Sequence, residues 1–192
     1  MSKGPIPAIC TALALAGAPL FVPLSHAEAL RFDTTGYRIA DYRAPVPDQA
    51  PAGRIVGAEE VEALHGRGAL LLDVVGLRHF RITDDGGWLV PEPHLSLPGA
   101  VWLPVVGWGQ LEGWQQDYLD ESLAQLTGTD MSKSVVVFCL MDCWLSWNTV
   151  KRLDAAGYSE IYWFSGGVEA WADAGHDLVA LEPYPLGRSR PE

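Results

Sequence analysis

The chain has 192 residues, 48% hydrophobic and 19% charged, enough to bury the core of one modest domain and too apolar for general disorder. Thirteen basic residues against 24 acidic ones give a formal charge of −11. That charge excludes non-specific nucleic-acid binding, which needs basic surface to neutralise phosphates.

The first segment has the pattern of an export signal: Lys3 in a short n-region, then a mostly apolar, small-residue run from Ile9 to Leu24. Ala27 and Ala29 both end plausible cleavage sites. The run is short for a membrane span and is broken by Pro19 and Pro23. Residues 1–27 are therefore expected to be a signal peptide, with a periplasmic mature protein and no membrane attachment after cleavage. Removing Cys10 with that segment leaves Cys139 and Cys143 as the only cysteines, in a compartment that oxidises paired thiols.

Residues 28–53 are rich in Pro, Asp, Arg and Tyr without a period, and they predict an extended arm packed through Tyr37 and Tyr42. Ala58 to His65 predicts a short helix with an acidic first turn. Ala69 to Val75 is a near-continuous apolar run, the pattern of a parallel strand buried on both faces. A loop from Gly76 to Pro98 follows, then a short strand over Ala100 to Pro104 and a helix over Asp117 to Thr127. A strand over Ser134 to Cys139, a helix over Ser146 to Ala156, a strand over Ile161 to Phe164 and a helix over Val168 to Ala174 complete the order, with Gly175 as the last C-cap. This alternation predicts an α/β fold: one domain with a central, mostly parallel sheet and helices on both faces, plus the arm.

The most informative stretch runs from Ser134 to Tyr158. A β-branched strand ends at Cys139, a tight loop carries Cys143, and a helix follows. Loop amides and a helix N-terminus there would favour thiolate at Cys139, and the thiolate is the nucleophile. Ser146 is placed to cap the helix. Asp73, at the end of its strand, is placed to support the loop from beneath. Of eight tryptophans, Trp144 and Trp147 straddle the loop, whereas Trp102, Trp163 and Trp171 read as core. No Walker loop, dinucleotide fingerprint or calcium loop is present, so no cofactor is expected. No metal is expected either, because two thiolates need about two further ligands and the histidines are scattered.

Four segments stand in order: Leu70-Leu71-Leu72-Asp73-Val74; His94 through Pro98-Gly99-Ala100 and Leu103-Pro104; Val136 to Cys139; and Gly157-Tyr158 with Ser165-Gly166-Gly167-Val168-Glu169-Ala170-Trp171. On these, residues 54–181 resemble a rhodanese-like domain, with residues 182–192 as a tail. The Cys139-to-Trp144 loop, Ser146-Trp147-Asn148 and the arm elements Tyr42-Arg43-Ala44-Pro45-Val46-Pro47 resemble an exported Cys-Trp branch associated with pyrroloquinoline-quinone-dependent alcohol catabolism. The resemblance implies a sulfurtransferase. Cys139 would take sulfur from a sulfane-sulfur donor as a persulfide, and Cys143 would resolve or regulate it.

The active-site loop departs from the family. It holds Leu140, Met141, Asp142, Cys143, Trp144 and Leu145 before Ser146, with no arginine for an oxyanion such as thiosulfate. A phosphatase of related fold would need arginine where Leu145 stands. Three readings stay open at this point. One is a sulfur carrier; another is a thiol–disulfide protein that exchanges with a thiol partner through both cysteines. The third is a silent binding or maturation module for a periplasmic quinoprotein dehydrogenase system.

Overall fold

The computed structural model describes Met1 and residues 30–187, so the expected signal peptide and the last five residues of the tail lie outside the described residues. In chain order the elements are β1 (Arg54–Ile55), α1 (Ala58–Gly66), β2 (Leu70–Asp73), β3 (Arg81–Ile82), β4 (Trp88–Leu89), β5 (His94–Ser96) and β6 (Val101–Trp102). They continue with α2 (Gly113–Thr127), β7 (Val135–Phe138), α3 (Trp144–Ala155), β8 (Ile161–Phe164), α4 (Gly167–Asp173) and β9 (Val179–Leu181). The main sheet runs β1-β8-β7-β2-β6 with every pairing parallel.

Alternation along the strands divides the core in two. Leu72, Val135, Val137 and Trp163 face the layer that holds Leu119 and Leu123 of α2 and Val150 and Leu153 of α3. Leu71, Val136, Phe138 and Phe164 face the layer that holds Val61 and Leu64 of α1 and Val168 and Trp171 of α4. All four residues of β7 are fully buried, which is why the segment reads as an unbroken apolar run rather than an alternating one. The expected α/β architecture with helices on both faces is thus the observed one.

Two boundaries shift for local reasons. Helix α2 starts four residues before Asp117, because Glu112 and Gln115 form a capping box whose two side chains satisfy each other's backbone N–H groups. The stretch read as one loop from Gly76 to Pro98 contains the β3–β4 hairpin, turned by Thr83 to Gly87, and β5, which pairs antiparallel with β9.

The arm is extended and closely packed. Tyr37 lies beneath the guanidinium of Arg152 at 4.4 Å, and Tyr42 meets Trp108 edge-on at 5.1 Å. Asn148 of α3, fully buried, is the clamp: its Oδ1 accepts the Arg38 amide at 2.9 Å, and its Nδ2 donates to the carbonyls of Arg38 and Gly107. Asn148→Ala would leave a buried donor and two buried acceptors unsatisfied, so it should cost about 2 kcal/mol. Urea unfolding checks the cost. Hydrogen exchange should accelerate at the Ala44 and Trp144 amides more than in β7; uniform acceleration would show that Asn148 does not act through the arm.

Candidate active site

The two thiols sit at the carboxyl end of the sheet's middle strand, where β7 gives way to α3. Cys139 directly follows β7 and is 1% exposed; Cys143 is the N-cap of α3 and is 3% exposed. Both are free thiols, hydrogen-bonded to each other. Gly167 closes the back of the site. Its φ of +59° and its approach to the Cys139 carbonyl leave no room for a side chain, since a Cβ there would lie 2.1 Å from that oxygen. The Val168 amide donates to the same carbonyl at 3.0 Å.

Asp73 ends β2, and its hydrogen bonds go to neighbours of that strand end rather than to the Cys139–Ser146 loop. It is fully buried; Oδ1 accepts the Val75 amide at 2.8 Å, and Oδ2 accepts from His94 Nε2 at 2.7 Å and from the Ser96 hydroxyl. These contacts fix the carboxylate at the end of β2, next to β7, where its charge opposes ionisation of Cys139.

The arm forms the outer wall. The Ala44 amide donates to the Asp142 carbonyl at 3.0 Å, and the Trp144 amide donates to the Tyr42 carbonyl at 2.9 Å. These two bonds flank an antiparallel bridge between Arg43 and Cys143. In such a non-hydrogen-bonded pair the side chains stand side by side on one face, so the Arg43 and Cys143 side chains emerge together. The Arg43 guanidinium also approaches Glu169 of α4 at 3.6 Å, and Glu169 accepts the Met141 amide at 2.8 Å. Clefts of about 700 and 500 Å3 are lined in part by the arm, with Tyr42 and Arg78 lining both.

The electrostatics reverse the sequence expectation for the two sulfurs. Burial pushes the Cys139 thiol well above its ordinary range, and its hydrogen bond to Cys143, the charge on Cys143 and the Asp73 carboxylate push the same way. Cys143 moves down instead, chiefly because Cys139 donates to it, with help from the Leu145 and Leu140 amides and the charge of Arg43. No full cap bond closes at Cys143, yet it occupies the N-terminus of a 12-residue helix, where negative charge is favoured. Of the two thiols, Cys143 is therefore the one that ionises more readily, and Cys139 the one that holds its proton more tightly.

The remaining loop residues divide clearly. The expected convergence of amides on Cys139 is thinner than the sequence implied, because the Met141 amide turns to Glu169 and the Trp144 amide to Tyr42. Leu140 supplies its amide, Asp142 turns the loop at a φ of +52°, and the Met141 side chain is exposed. Leu145 is core, packed where Gly76 and Gly107 leave space for it. Trp144 is buried against Phe32, Trp147 and the Arg38 guanidinium, so it packs the arm rather than lining an open pocket. Its indole N–H is buried without a hydrogen-bond partner. Ser146 is not a cap: α3 has already begun at Trp144. Its hydroxyl donates to the Cys143 carbonyl at 3.1 Å and accepts from Trp163 Nε1 at 2.9 Å.

Sequence reasoning named no role for Arg43, Glu169 or Asn148, although all three lie within segments that carried the resemblance. The available signal was an arginine directly after an arm tyrosine in a chain whose loop lacks one. Among the described residues no cluster of three or more His, Cys, Asp or Glu side chains is arranged to hold a metal ion, and no helix is long and apolar enough to cross a membrane.

The sequence profile of the Rhodanese-like domain matches residues 31–174. No curated protein matches the chain. Among solved structures, a thiosulfate sulfurtransferase from Pseudomonas aeruginosa is 22% identical with a TM-score of 0.44, the match covering 68% of this chain and 21% of that one. This chain thus spans about a fifth of that protein. A rhodanese-like domain from Anabaena is 17% identical with a TM-score of 0.42, covering 77% and 86% of the two chains. The polysulfide-sulfur transferase homodimer of Wolinella succinogenes is 20% identical with a TM-score of 0.43, covering 69% and 79%.

The opposite shifts of the two thiols give a direct test. As pH rises, iodoacetamide should label Cys143 before Cys139, and peptide mapping would resolve the order. Labelling of Cys139 first would overturn the assignment of the charge.

Proposed function

Because this chain belongs to the rhodanese-like domain family, we propose that it carries sulfane sulfur on the Cys139–Cys143 pair. The observation that carries the reading is the pair itself: two free, hydrogen-bonded thiols where the central strand meets a helix N-terminus, their ionisation pushed in opposite directions. Cys139, at the strand-end position of the family's cysteine, is the carrier. Cys143 is base and resolving thiol.

The chemistry balances with these groups. As Cys139 attacks the terminal sulfur of a donor persulfide RS–S⁻, the Cys143 thiolate takes the Cys139 proton. The donor S–S bond breaks, its electron pair leaves with RS⁻, and Cys139 holds a persulfide. A nucleophilic acceptor can then take the terminal sulfur. Alternatively, Cys143 attacks the Cys139 sulfur, its proton leaves with the expelled hydrosulfide, and a Cys139–Cys143 disulfide remains. A dithiol partner reduces that disulfide in two exchange steps, becomes a disulfide itself and restores both thiols.

A second reading has its own observation. Cys143 is the thiol that ionises first, which also suits attack on a partner's disulfide without any sulfane sulfur. Export through residues 1–27, a periplasmic setting and service to a quinoprotein dehydrogenase system belong to this proposal, supported by the signal-like sequence and the Cys-Trp resemblance.

Intact-mass analysis after reduction and exposure to a low-molecular-weight persulfide tests the main reading. The expected product is one added sulfur mapping to Cys139. Cys143→Ser should lengthen the persulfide's lifetime by about tenfold or more, since the resolving thiolate is removed. An unchanged lifetime would remove Cys143 from that role. Formation of the disulfide in the wild type with no sulfur adduct on Cys139 in Cys143→Ser would favour thiol–disulfide exchange.

A further inference from the structure

The loop between Cys139 and Ser146 has no cation of its own, yet a charge placed on Cys143 is not left without one. Arg43 reaches it from about a hundred residues earlier in the chain. The bridge between Arg43 and Cys143 lies between the two flanking backbone bonds, Ala44 to Asp142 and Trp144 to Tyr42, so the two side chains leave their backbones as neighbours. Glu169 holds the guanidinium from the α4 side at 3.6 Å while tying down the Met141 amide, which keeps the arginine over the loop. The adjoining cleft of about 500 Å3 is lined by Arg31, Arg43 and Arg78 with Tyr42, Ala44 and one carboxylate, Asp41, which pairs with Arg31 at 2.9 Å. In a chain with a net charge of −11, three arginines around one cleft make a local field opposite in sign to the whole.

We propose that Arg43 is the cationic partner of Cys143 and gives the dithiol a preference for anionic sulfur compounds, namely small disulfides and persulfides that bear a carboxylate or sulfonate. The proposal rests on Cys139 and Cys143 being the reacting pair. Arg43 acts as a positioning residue: it stabilises the thiolate and steers the anionic end of the incoming molecule into the arginine-lined cleft. The group that competes for it is Glu169 from α4. Asp73 acts from beneath on Cys139.

Two disulfide probes of different charge, dianionic dithiobis(nitrobenzoate) and neutral dithiodipyridine, read this directly. Each reacts in one step: the Cys143 thiolate attacks one probe sulfur, the probe S–S bond breaks, and an aromatic thiolate leaves and is seen by absorbance. The full chain is used with Cys10→Ser and Cys139→Ser, so that Cys143 is the one reacting thiol. Arg43→Gln should lower the ratio of the anionic to the neutral rate by about tenfold, the lower end of what a local field contributes to association. Arg43→Lys should restore most of it, and ~1 M salt should erase the difference between wild type and Arg43→Gln. The pH at which Cys143 becomes reactive should rise in Arg43→Gln and return in Arg43→Lys.

Equal slowing with both probes, or an unchanged ratio and pH midpoint, would make Arg43 a purely structural part of the arm. If the serine double variant does not fold, the first fast phase of the two-cysteine chain gives the same ratio. Neither probe carries sulfane sulfur, so this result stands apart from the persulfide test: charge preference without persulfide formation would refute only the sulfur-carrier reading.

Discussion

Two backbone hydrogen bonds, from Ala44 to Asp142 and from Trp144 to Tyr42, join the arm to the loop, and the rest of the site depends on them. Each such bond contributes about 1 kcal/mol net. Their effect on geometry is larger than that sum. By pairing Cys143 as if it were in a strand, they hold it at φ −121° and ψ 113°, an extended conformation suited to a helix N-cap. Helix α3 therefore starts at Trp144, and its N-terminal field falls on Cys143 instead of on the family's cysteine at the strand end.

That displacement explains how two cysteines in one loop acquire different chemistry. Cys139 is buried at the end of the central strand, and burial, its bond to Cys143 and the Asp73 charge oppose its ionisation. Cys143 receives a hydrogen bond from Cys139, the influence of nearby amides and the Arg43 charge. One negative charge shared across a hydrogen bond costs less to bury than two separate thiolates would. Asp73 matters here through its surroundings as much as its charge. Its oxygens are occupied by the Val75 amide, His94 and Ser96, so it is a fixed part of the floor.

The arm's other attachments serve the same end. Arg38 lies between the rings of Phe32 and Trp144, at 5.1 and 4.7 Å, while its Nε donates to the Ala40 carbonyl. Arg152 donates to the carbonyls of Val106, Trp108 and Gly109 and covers Tyr37. The consecutive residues Ser146, Trp147 and Asn148 thus have separate tasks. Ser146 joins the Cys143 carbonyl to Trp163, Trp147 packs against Phe32 and Trp144, and Asn148 clamps Arg38. A motif that looks like an active-site signature is largely the means of fastening the arm.

Four strands of the main sheet, the parallel arrangement with helices on both faces and the position of both cysteines follow from local sequence, because apolar runs and helical periods act over a few residues, whereas the short strands β1, β3, β4, β5 and β9 do not. Val135 to Phe138 had to be a central strand, and the thiol after it had to lie at the strand's carboxyl end. The capping box at Glu112 and Gln115 was also legible in principle, being local. What only the tertiary structure decided is which sulfur ionises more readily and what stands beside it. Arg43, Glu169 and Asn148 are far apart in sequence or embedded in motifs with no chemical signature of their own, and they meet only because the arm folds back across the loop. Thiol ionisation depends on burial and on charges a few ångströms away. Distances of that kind are set by the packing of remote segments, which no window of local sequence contains.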